Sequence, residues 1–198
     1  MGTEKLQQTP SQTVGPFFAY SLTAEQYGYD FNSIINGSLI IDETPGEKSI
    51  YITGSVFDGN ENTVSDAMIE LWQADSKGNY VTQYPNIQIS DTNFKGFGRL
   101  GTGTNEDHQF NFKTVKPGSV NGDVPHIDVI LFMRGSLHRL NTRIYFSDEQ
   151  NNTDTLFNSV EASRRHTLIA QRKEINNTIF YHFDIHMQGE NETVFFEL

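Results

Sequence analysis

Gln109-Phe110-Asn111-Phe112-Lys113-Thr114-Val115-Lys116-Pro117-Gly118 reads as a β-strand running into a turn. Polar and apolar residues alternate through Val115, the period that sends successive side chains to opposite faces of a sheet. Lys116-Pro117-Gly118 then closes the strand, because Pro lacks the N–H a ladder needs and Gly suits a turn. The same signature recurs on both sides. Upstream, Ile50-Tyr51-Ile52-Thr53-Gly54-Ser55-Val56-Phe57 is rich in β-branched and aromatic residues and ends at Asp58-Gly59-Asn60. Ala67 to Ala74 alternates again, and Asp75-Ser76-Lys77-Gly78 turns the chain. Downstream, His126 to Arg134 forms a longer strand stopped by Gly135, followed by strands at Thr142–Phe146 and Thr178–His186. Several short strands separated by turn signals predict an all-β fold, a β-sandwich.

The rest of the chain fits around those strands. One helix is expected around Asp154–Arg172, with Asp154 or Thr155 as its cap and Arg164, Arg165 and Arg172 in its C-terminal half. Residues 82–108, with Gly96, Gly98, Gly101 and Gly103 among polar neighbours, read as long connecting loops with a functional or interface role. Residues 1 to about 20 read as an N-terminal arm. Within it, Val14-Gly15-Pro16-Phe17-Phe18-Ala19-Tyr20 is too short for a helix and is expected to pack as an irregular segment. At 198 residues, the chain is read as one domain, 1–198, with a substantial core.

Composition narrows the function. The net charge of −11 disfavours nucleic acid and anionic lipid as partners. It also repels an anionic small molecule at long range, so a site for one needs local cations. The chain has no Cys, which removes disulfides, zinc thiolates and a thiol nucleophile together and fits a reducing, cytoplasmic location. No apolar run reaches the length of a membrane span, and Met1 to Gln8 is polar, without the apolar segment of a secretion signal.

Two segments carry a resemblance. Trp72-Gln73-Ala74…Gly78-Asn79-Tyr80 and Lys116-Pro117-Gly118-Ser119-Val120…Pro125-His126-Ile127-Asp128 resemble the iron-binding motifs of the intradiol ring-cleaving dioxygenases. There the patterns read W-Q-A…G-x-Y, then K-P-G-P-Y-P and P-A-H-I-H, and two Tyr and two His ligate non-haem Fe(III). In this chain Tyr80 and His126 match, whereas Val120 replaces a Tyr and Asp128 a His. The resemblance spans residues 9–198. It implies the non-iron alpha subunit of a two-chain enzyme, with no metal ligand set and no catalytic residue of its own. Fe(III) would then belong to a homologous, iron-binding beta subunit. The implied reaction is cleavage of protocatechuate with O2 to 3-carboxy-cis,cis-muconate. Alternatives are an independent iron dioxygenase with altered ligands and an inactive β-sandwich binding or structural module.

The same resemblance implies substrate-binding residues. Alpha chains of the family contribute T-P-S-Q-T-x-G-P and a strand-end Arg to the partner's substrate channel. Thr9-Pro10-Ser11-Gln12-Thr13-Val14-Gly15-Pro16 matches in full, so Thr13, Pro16 and Arg134 are the candidate site residues. A fixed guanidinium suits a carboxylate-bearing substrate, and a Gly-Pro segment makes a rigid wall. Tyr80 and His126 read otherwise as a half-buried phenol and a satisfied strand histidine. Asp128, two residues from His126 on one strand face, is a candidate hydrogen-bond partner for it. Gly96-Phe97-Gly98 and Gly101-Thr102-Gly103 lack the strand–turn–helix context of a phosphate loop. His182 and His186 on one strand would lie about 13 Å apart, too far for a shared metal.

Overall fold

The structure is a computed structural model that describes residues 8–30, 48–81 and 94–197. Among the described residues there are nine strands: β1 (Ser49–Phe57), β2 (Met68–Trp72), β3 (Phe97–Gly101), β4 (Gln109–Val115), β5 (His126–Phe132), β6 (Leu140–Phe146), β7 (Ile169–Ile175), β8 (Thr178–His182) and β9 (Ile185–His186). The same residues include two short helices, α1 (Phe17–Leu22) ahead of β1 and α2 (Thr155–Ser159) between β6 and β7.

The hydrogen-bonded order is β3-β2-β5-β6-β7-β8-β1-β4, with β9 beside β1. Strand β7 makes the fold double over. Its first residues, Ile169 and Ala170, pair with Tyr145 and Phe146 of β6, and the rest, from Gln171 to Ile175, pairs with β8. The two halves bury one core between them. Ile69, Leu71, Ile127, Val129, Leu131 and Ile144 come from one half, and Ile50, Ile52, Phe110, Phe112 and Tyr181 from the other. In β4 exposed or half-buried residues alternate with buried Phe110, Phe112 and Thr114, the expected period-two strand. The β7–β8 turn is Asn176-Asn177, both with positive φ, the twist a two-residue hairpin requires.

Three expectations are corrected. The helix expected over 154–172 exists only as α2, Thr155–Ser159. Asp154 does cap it, accepting from the Phe157 N–H at 2.8 Å. Val160 then turns extended, a 3₁₀ turn follows over Arg165–Leu168, and Ile169 begins a strand. Sheet pairing and burial of Leu168 and Ala170 outweigh helix propensity here. The segment around Phe17 is a helix rather than irregular, with Pro16 at its N-cap. Phe18 packs on Phe132 of β5 at a ring separation of 5.3 Å, and Ala19 is buried, so tertiary contact supplies what six residues cannot. The loop expected over 82–108 contains strand β3, and the part at 82–93 lies outside the described residues. Arg99 of β3 bonds Glu70 of β2 across the pair, Nε to Oε1 at 2.7 Å, which holds this glycine-rich strand in the sheet. Among the described residues no helix is long and apolar enough to cross a membrane.

Candidate functional site

Two places on the molecule hold the residues singled out from the sequence, and they sit at opposite ends of β5. The first is at its start. Here the turn at Gly78 and the Lys116-Pro117-Gly118 segment lie backbone against backbone. The Gly118 N–H donates to the Asp75 carbonyl at 2.9 Å. A Cβ on Gly118 would come within 2.6 Å of the Gly78 nitrogen, so neither segment could approach this closely with a side chain there. Asp75 tightens the turn further by accepting from the Lys77 and Asn79 N–H groups. Just past these segments, Tyr80 lies near enough to Asp128 of β5 to feel its charge, and Val120 bridges to Asp123, three residues before β5.

At that start, Trp72, Asp128 and Arg143 stand side by side on β2, β5 and β6, as do His126 and Tyr145 on β5 and β6. Asp128 receives the Nε of Arg143 at 2.9 Å. His126 is buried and donates Nδ1 to the Val124 carbonyl at 2.7 Å. The hydrogen bond expected between His126 and Asp128 is therefore not made. Both side chains sit on one face, but each has a nearer partner, a carbonyl two residues back and a guanidinium directly across the ladder. Burial, followed by the nearby Asp128 carboxylate, raises the Tyr80 hydroxyl above its ordinary pKa, so it stays a neutral phenol. Burial pulls the Arg143 pKa down, but Asp128 and the Tyr145 hydroxyl outweigh it and keep the guanidinium charged.

These residues do not fit the family's ferric ion. Val120 has no donor atom. Asp128 is committed to Arg143, whose Nε it accepts from at 2.9 Å. Sequence reading missed Arg143; the only sign of it was its place on the strand that pairs with β5.

The second place is at the far end of β5. From His126 to Phe132 the strand spans roughly 20 Å. Beyond it Arg134 pairs through Nε with Asp66, whose carboxylate is largely buried, while the Arg134 side chain is 59% exposed. The Gly135 N–H donates to the Thr13 hydroxyl at 2.8 Å. Thr13 and the Arg134 turn are thus brought together, although they lie far apart in sequence. Pro16 follows at the head of α1. Gln26, just beyond α1, clamps Gly101 of β3 through both its amide oxygen and its amide nitrogen, at 2.8 and 2.7 Å. Phe17 and Leu137 stand exposed on this same end.

His182 and His186 do not share a strand. The ladder breaks after His182, where Asp184 accepts from His182 Nε2 at 2.9 Å and from the Ser55 N–H at 3.0 Å. Both histidines line a cleft of about 230 Å³ with His166 and Asn191.

Comparison with known proteins gives one family profile and several relatives. A family described as Dioxygenase matches residues 32–124. The protocatechuate 3,4-dioxygenase alpha chain of Burkholderia cepacia is 46% identical over 98% of this chain and 98% of its own. The alpha chain from Pseudomonas putida is 41% identical over the full length of both. The beta chain of the Burkholderia cepacia enzyme is 31% identical over 82% of this chain and 71% of its own. Among solved structures, the dioxygenase domain of a carbohydrate-binding fusion from Streptomyces sp. SirexAA-E superposes with a TM-score of 0.60 at 24% identity. That match covers 90% of this chain and 97% of the other, and it speaks to the fold alone.

Proposed function

This chain belongs to the intradiol ring-cleaving dioxygenases, and on that footing we propose that it is the alpha chain of a protocatechuate 3,4-dioxygenase. A homologous beta chain is its partner and holds the ferric ion. The reaction cleaves protocatechuate between its two hydroxyl-bearing carbons, and both atoms of O2 enter 3-carboxy-cis,cis-muconate. The partner's ferric ion supplies the Lewis acidity that lowers the catechol hydroxyl pKa values.

One observation carries the division of labour. Arg134 lies roughly 20 Å or more from this chain's own relic ligand positions, too far to serve them. It stands exposed at a strand end beside Thr13, where a second chain can reach it. On a surface of net charge −11, a substrate carboxylate needs such a local cation. Arg134 offers a planar fork that matches a carboxylate. Thr13 ties the arm to the Arg134 turn, and Pro16 stiffens the wall the arm makes.

The test is reconstitution. The purified chain alone should cleave no protocatechuate, hold no stoichiometric iron and show none of the red-brown colour of a ferric phenolate. Adding the homologous beta chain should give a complex with ring-cleaving activity. Turnover by the isolated chain, with about one tightly held iron per chain, would overturn the reading.

A further inference from the structure

We propose that Asp123, His126 and Asp154 form a binding site for a divalent transition-metal cation of the Zn²⁺ class. One ligand atom from each of the three lies within 4.8 Å of the others. Of the three, only His126 is a relic ligand position, and Tyr80 and Asp128 take no part. The proposal does not depend on the alpha-chain reading.

His126 and Asp154 are each held by a partner on one side-chain atom, and the other donor atom is left over. His126 is 5% exposed, and its Nδ1 faces the Val124 carbonyl at 2.7 Å. A carbonyl only accepts, so Nδ1 carries the proton and Nε2 keeps its lone pair. This is how metal-bound histidines are oriented and tuned. Asp154 is 1% exposed. Its Oδ1 accepts from the Tyr145 hydroxyl at 2.9 Å and from the Phe157 N–H at 2.8 Å. Its Oδ2 is buried with no hydrogen-bond partner. A buried carboxylate oxygen left unpaired is costly, and a bound cation would satisfy it. Asp123 stands on the tight turn Val120-Asn121-Gly122-Asp123, closed by the Asp123 N–H to the Val120 carbonyl at 2.8 Å. Asn121 and Gly122 both take positive φ there, as a two-residue hairpin turn demands. Its side chain is 50% exposed, which opens the site to solvent.

The charge balance fits a dication. Asp123 and Asp154 contribute two negative charges. Arg143 is the neighbouring cation, but its Nε is bound to Asp128 at 2.9 Å and its Nη1 is 3.9 Å from Asp123. One imidazole and two carboxylates suit Zn²⁺, with further positions left for water. Zn²⁺ has a filled d shell, so its binding leaves the protein colourless.

The experiment uses the full-length chain, stripped with chelator and then dialysed against Zn²⁺, with bound metal counted by elemental analysis. The expected result is one Zn²⁺ per chain and a rise in thermal midpoint with Zn²⁺ concentration. Asp154→Asn risks loosening the cap of α2, so the informative variants are Asp123→Asn and His126→Gln. Each should weaken Zn²⁺ binding at least about tenfold, with the circular dichroism spectrum unchanged for Asp123→Asn. Tyr80→Phe should bind as the parent does. Failure to take up Zn²⁺ at millimolar concentration would overturn the proposal. So would uptake that is indifferent to Asp123→Asn, or uptake lost in Tyr80→Phe, which would place the cation on the relic positions instead.

Discussion

Arg134 meets Asp66 through Nε, which leaves the Nη edge of its fork for another carboxylate. A charge-assisted contact to a largely desolvated anion contributes roughly 1.5–3 kcal/mol. Arg134→Ala in the assembled enzyme should therefore lower kcat/KM for protocatechuate by about 10- to 150-fold. Plain catechol, which lacks the carboxylate, should lose less. Equal losses for both would mean that Arg134 orders the channel or the interface instead. Parent-like values for both, in a complex of normal size and iron content, would leave Arg134 a surface residue. If Asp66 aims the fork, Asp66→Ala should raise KM for protocatechuate by about two- to fivefold, the scale of a pair with one exposed partner. Asp66→Glu should restore it, and kcat should hold throughout.

At the scale of elements, glycines and polar cross-links place the site. Lys116 shows how a motif residue can be structural. Its ammonium bridges Asp148 and Glu149 at 3.1 and 2.6 Å and lies over the Phe146 ring, locking the strand end that precedes Pro117 and Gly118. Gly118→Ala should force its Cβ into the backbone of Ser76 and Gly78, with 2.6–2.7 Å contacts that cannot relax by rotamer. A destabilisation of about 1–3 kcal/mol is expected, read as a lower denaturant midpoint at constant slope. An unchanged midpoint would mean that the two turns separate freely. The strands themselves were legible wherever polar and apolar residues alternate, as in β4. The short elements were not. Strand β3 carries Gly98 and Gly101, which argue against a strand by composition, and it is held by pairing with β2 and by the Arg99–Glu70 bond.

On the scale of the whole molecule, the arm and the strand-end turn make one surface that joins distant parts of the chain. Deleting residues 1–16 removes Thr13 and the cap of α1 but leaves the buried core untouched. The truncated chain should keep its own unfolding transition and fail to assemble with the beta chain, as size measurements on the mixture would show. A complex of normal size and kinetics would remove the arm from the interface.

The sequence by itself determined the all-β class, the family and the loss of two ligand positions. The class follows from period-two alternation and turn residues, and the family and the lost ligands from the resemblance of short motifs, all of them local in sequence. It also placed Thr13 and Arg134 on one list by resemblance. Only the tertiary structure decided that the two meet through Gly135, that Asp66 holds Arg134, and that Arg143 occupies Asp128. It alone decided, too, that the stretch after Asp154 is mostly not helix. Partners of that kind are fixed by strand register and by burial, which join residues far apart in the chain. No pattern within a single window of sequence records them.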